Sequence, residues 1–80
     1  MPLFHFNSRT GDVILPDIEG EDLPDLASAG TVAISSAREA LAEAVKFGDT
    51  PPDIIQVTDS EGFEVAIVPL MEVLQTAKKR

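Results

Sequence analysis

Residues 25–48 read DLASAGTVAISSAREALAEAVKFG, and this stretch decides the fold. Ala29, Ala33, Ala37, Ala40 and Ala44 recur at spacings of three and four, which is one face of an α-helix. A stripe of side chains that small predicts a helix lying close on a sheet. Ile34, Leu41 and Val45 flank the stripe and supply bulk, while Arg38, Glu39, Glu43 and Lys46 fall on the opposite side. Asp25 suits the N-cap, where a carboxylate accepts from orphan N–H groups and faces the positive end of the helix dipole. Gly48 suits the position just past the last turn. The helix is therefore expected from Leu26 to Phe47, with Gly30 as its weak point.

What precedes the helix reads as strands. Leu3 to Asn7 alternates, with Phe4 and Phe6 on one face and Leu3, His5 and Asn7 on the other. Ser8-Arg9-Thr10-Gly11-Asp12 is turn-forming, and Val13-Ile14-Leu15 is a short second strand stopped by Pro16. Asp17 to Asp25 is an acid-rich loop with Gly20 at a turn position. After the helix comes a stiff loop, Asp49 to Asp53. Ile54–Thr58 and Phe63–Val68 then form a hairpin around Asp59-Ser60-Glu61-Gly62, a type I turn closed by a bulge. Pro69 ends the strand and opens a last helix with Leu70, Val73, Leu74 and Ala77 on one face and Lys78-Lys79-Arg80 at its negative end. The expected fold is α+β in the order β-β-α-β-β-α. A small antiparallel sheet of three or four strands carries one long helix on one face and a short C-terminal helix.

Composition limits function. The 80 residues make one domain, 1–80, and such a chain hides only roughly 60–65% of its unfolded surface. Fourteen acidic residues against six basic ones give a net charge of −8, which argues against nucleic acid as a partner. No cysteine is present, so thiolate chemistry, disulfides and zinc–thiolate sites are excluded, and one histidine excludes a multi-histidine metal site. No apolar run is long enough to cross a membrane, and no signal peptide is recognisable, so the expected address is the cytoplasm.

The pieces together resemble a known family. Phe4 and Phe6 in the first strand, Thr10-Gly11, Pro16-Asp17-Ile18-Glu19-Gly20, Leu23-Pro24-Asp25, Ser36-Ala37-Arg38, Thr58-Asp59-Ser60-Glu61-Gly62 and Val68-Pro69 follow one another as in a family of short uncharacterised bacterial proteins, a domain of unknown function. That family carries a Pro-Asp-x-Glu-Gly-x-x-Leu-Pro-Asp segment before an Ala-rich helix, and a Thr-Asp-x-x-Gly hairpin. Two positions depart from the pattern. A His common at the end of the first strand is Asn7 here, and the usual Asp-Gly of the first turn is Thr10-Gly11. The resemblance implies the fold and names no activity.

Candidate chemistry is sparse. Asp17, Glu19, Glu21, Asp22 and Asp25 are carboxylates around a glycine, the donor type of a Ca²⁺ site, but without EF-hand spacing. The loop reads better as a solvated entry to a helix N-terminus. His5, the one histidine, needs a partner and a pocket to act as a base. Ser35, Ser36 and Ser60 lack a nucleophile elbow. No catalytic, cofactor or metal residues are therefore assigned. The expected function is a non-catalytic acidic domain working by protein contact, with a protein partner or as a weak homodimer. Its surface is expected at Ile54, Gln56, Leu70, Met71, Val73 and Leu74, because uncharged edge strands and spare apolar helix residues mark interfaces. The alternatives are an antitoxin-like regulatory partner of a basic protein, and a minor enzymatic or metal-binding role using His5 and the acidic loop.

Overall fold

The structure, a computed structural model, describes residues 2–73. The expected positions Leu74, Ala77 and Lys78-Lys79-Arg80 lie outside the described residues. The elements are β1 (Leu3–Thr10), β2 (Val13–Leu15), β3 (Glu21–Asp22), α1 (Leu26–Phe47), β4 (Ile54–Thr58) and β5 (Glu64–Pro69). A short C-terminal helix begins at Leu70. The fold is α+β, with an antiparallel sheet in the order β2-β1-β4-β5. β3 pairs the start of β1, Leu3 with Asp22 and Phe4 with Glu21, while β2 pairs its end, Ser8 with Leu15 and Thr10 with Val13. β2 and β3 are thus two halves of one edge strand, interrupted by residues 16–20.

α1 begins and ends where its caps are. Asp25 Oδ1 accepts from Ser28 N–H at 2.9 Å, and Gly48 adopts φ 71°, the left-handed conformation of a helix stop. The bonds from Ser28, through its backbone N–H first, hold the Asp25 carboxyl below its ordinary value. Ala29, Ala33 and Ala37 are wholly buried and meet Phe4, Ile55 and Val57 of the sheet, with Leu70 and Val73 closing one end. Phe6, Leu23, Leu41 and Val68 pack around that cluster. Val57 has no exposed surface at all. Val45 departs from expectation. It is 83% exposed, not packed beside the stripe. Val45 is turned about 100° around the helix from Ala44, which is buried in the same turn, so it faces away from the sheet.

Two strands also differ in their bounds from expectation: β1 runs past Asn7, and β5 is Glu64–Pro69 and not Phe63–Val68. β1 continues through Ser8-Arg9-Thr10, because those residues are paired by β2 and by β4. The turn is reduced to Gly11-Asp12, with Gly11 at φ 59°, the two-residue hairpin with glycine first. The bulge of the second hairpin lies at Val57/Thr58, where Thr58 pairs Glu64 and Val65 is the extra residue. Asp59 ties the connecting turn, its Oδ1 accepting from Glu61 N–H at 2.9 Å and from Phe63 N–H at 3.0 Å.

Gly30 has no neighbour within 4 Å of where a Cβ would stand, and it sits inside α1. Gly30→Ala is expected to stabilise the domain by about 0.5–1 kcal/mol, read as a higher midpoint in urea. A lower midpoint would mean that the position is packed.

Candidate functional site

The face of the sheet away from α1 is a polar seam. Alternation puts His5 and Asn7 of β1, Gln56 and Thr58 of β4 and Glu64 of β5 on this side. Asn7 and Thr58 are buried, and Asn7 Nδ2 donates to Thr58 Oγ1 and Gln56 Oε1, both at 3.3 Å. Gln56 Nε2 donates onward to Glu64 Oε1 at 3.0 Å. Among the described residues no buried side-chain polar atom lacks a partner.

Asp17 latches the interrupted edge to this seam. Between β2 and β3 the ladder leaves Phe6 N–H without a strand partner, and Asp17 Oδ2 accepts from it at 3.1 Å. Asp17 Oδ1 accepts from Gly20 N–H at 3.2 Å, and the Asp17 backbone N–H donates to Asn7 Oδ1 at 2.8 Å. The His5 ring nitrogen Nδ1 lies 2.6 Å from the Asp17 carbonyl oxygen. A carbonyl can only accept, so Nδ1 is the donor of this bond. Gly20 stands at φ 72°, and a Cβ there would come within 2.9 Å of the His5 ring and of the Phe4 carbonyl oxygen. Glycine is what allows the loop to close this far.

The acidic loop is therefore dispersed among structural tasks. Asp17 replaces a ladder partner, Glu21 and Asp22 form β3, and Asp25 caps α1. Among the described residues no three His, Asp or Glu side chains gather as a metal site. His5 is oriented by a backbone carbonyl of the loop, not by one of its carboxylates. The surface hollows lined by Ile34, Arg38 and Val68, by Leu41, Pro52 and Met71, and by Leu15, Ala44 and Phe47 do not include His5 or Asp17.

The expected contact surface is redistributed by the sheet order. β4 lies between β1 and β5, so its backbone is paired on both sides and cannot add a strand. Ile54, Leu70 and Val73 are buried, Gln56 belongs to the seam, and Met71 remains exposed; Leu74 is outside the described residues. Among the described residues the free edges are β5 on one side and β2 with β3 on the other. Val13, Ile14 and Leu15 are all exposed, as is Phe47 beside Leu15. Pro16 and the acidic loop, expected from the sequence to protect this short strand, leave all three of its side chains exposed. No helix of the described residues is long and apolar enough to cross a membrane.

No curated protein matches the chain, and neither does any solved structure. A family model does match, over residues 3–71, which takes in every strand and the long helix. The chain belongs to that family, a domain of unknown function designated DUF6894.

Proposed function

We propose that this is a non-catalytic domain that works through protein contact, first of all with a second copy of itself. The supporting observation is the free edge of β5. Thr10 and Val13 close a two-residue hairpin and are hydrogen-bonded, so alternate residues of β1 direct their backbone groups to β2 and to β4. Carried across the registers, this leaves Ile55 and Val57 bonding β5 through Val68 and Ala66, with the N–H and C=O of Ile67 pointing outward. Residues 65–71 contain no charge. A second β5 pairing antiparallel about Ile67 sets Val65 against Pro69 and Ala66 against Val68, with no like charges opposed. The hollow lined by Ile34, Val68 and Val73 lies beside this edge.

At −8 per chain, self-association is weak at low salt and tightens as salt screens the repulsion. Sedimentation at several salt concentrations tests this on wild type and on Ile67→Glu, which opposes two carboxylates at the two-fold axis. Wild type is expected to dimerise in high salt and the variant to stay monomeric. A strict monomer at millimolar concentration in high salt removes the homodimer.

A second reading, a regulatory partner of a basic protein, is favoured by where the charge lies. Lys78, Lys79 and Arg80 hold half the cations, so residues 1–73 carry 14 acids against three cations, a net of −11. A cytoplasmic address goes with both readings, because a secreted domain this small usually relies on disulfides and this chain has no cysteine.

A further inference from the structure

We propose that the β2 edge, with the hollow beside it, binds an extended cationic segment of a partner protein whose apolar and basic side chains alternate. The inference rests on the reading of the domain as a contact module, and it concerns the opposite edge of the sheet from the self-pairing strand. Val13, Ile14 and Leu15 form an uncharged edge strand that none of the described residues covers, and Leu15 is 65% exposed. Because Thr10 and Val13 are the bonded pair, Ile14 directs its N–H and C=O away from β1. One added strand can take up both groups.

Charge placement then chooses the occupant. Glu43 and Asp49 rim the hollow, Asp12 lies in the turn that opens β2, and Asp53 Oδ2 accepts from Gly11 N–H in that turn, so the acids beside this edge favour a cationic strand. On the helix side, Leu15 and Phe47 share a hollow with Ala44 and Pro51, rimmed by Glu43 and Asp49. Phe47 is 65% exposed, and Lys46 Nζ covers one face of its ring, 5.4 Å from the centroid. Arg9, beside Ile14, and Lys46 are the cations of this region, against Asp12, Glu43, Asp49 and Asp53. An apolar side chain of the added strand enters between Leu15 and Phe47 while the basic ones meet the rim.

The probe is a short synthetic peptide of alternating lysine and valine, titrated into ¹⁵N-labelled full-length protein. Its controls are the same peptide N-methylated at alternate residues and a glutamate–valine peptide. Saturable shifts at Val13, Ile14, Leu15 and Phe47 are expected from the first peptide alone. Binding is expected to weaken as salt rises, the opposite of the sign expected for self-association, so the two can fail separately. Leu15→Lys is expected to weaken binding about tenfold or more, by removing apolar contact and adding a like charge. Ile67→Glu, on the other edge, is expected to leave it unchanged. Shifts centred on β5, equal binding of the N-methylated peptide, shifts spread over every carboxylate, or a second copy of the chain occupying β2 would each overturn the proposal. So would the absence of saturable shifts. The N-methylated peptide alters the probe and not the protein, so the test stands even where Leu15→Lys disturbs the fold.

Discussion

Ala37→Phe is expected to destabilise the domain by about 1–3 kcal/mol, by overpacking the contact between α1 and the sheet. Ala29, Ala33 and Ala37 are wholly buried, and the sheet residues they meet, Ile55 and Val57, are nearly so. Small side chains on the helix are what let the two layers approach, so there is no unfilled space for a ring. In a domain of this size the loss corresponds to roughly 5–20 °C in melting temperature. That is a large share of a total stability of roughly 5 kcal/mol or a little more. Ala42→Phe is the control, because Ala42 is exposed on the same helix and its change is expected to be small. A thermal melt that did not move for Ala37→Phe would show that the alanine stripe is not a packing face.

α1 was legible to the residue because its signals are local. An Asp cap, a stripe at helical spacing and a glycine stop all lie within the segment they define. The faces of β1 were legible for the same reason, since alternation alone separates Phe4 and Phe6 from His5 and Asn7. The end of β1 was not, because Ser8-Arg9-Thr10 is turn-forming in isolation and becomes strand only between two partners. β3 had no signal. Glu21-Asp22 is poor strand sequence and is extended only through its pairing with Leu3 and Phe4. Ile54 is buried because β4 lies inside the sheet, and Leu70 and Val73 of the C-terminal helix because they pack into the cluster between α1 and the sheet. Hydrophobicity identifies an uncharged strand but not whether it lies at the centre of a sheet or at its edge. The same limit hid the contact between Asp17 and Phe6, which spans eleven positions in sequence. The fold class and the family resemblance depended on local pieces in order, whereas the latch and both free edges depend on pairings between distant pieces.

Asp17→Ala is expected to cost about 2–3 kcal/mol and to release the interrupted edge from the seam. The carboxylate accepts from two backbone donors, Phe6 N–H and Gly20 N–H, and no strand residue stands opposite Phe6 to replace it. An unpaired backbone donor in the middle of a strand is costly, because water reaches it only if the loop moves aside. Movement of the loop also strains the bonds that Asp17 makes through its backbone, to Asn7 Oδ1 and from His5 Nδ1, and Asn7 is buried. Asp17→Asn keeps one oxygen and should lose less than alanine, which separates the accepting role from mere side-chain size. Hydrogen exchange gives the local reading. The Phe6 amide is expected to exchange much faster in Asp17→Ala, whereas the Val57 amide, bonded into β5, should change only in step with global stability. If Phe6 kept its protection and the melting temperature held, the carboxylate would be decorative and the edge would owe its place to β2 and β3 alone. If both fell together and Asp17→Asn lay between, residues 16–20 would be a latch: a loop whose one inward carboxylate substitutes for a missing strand.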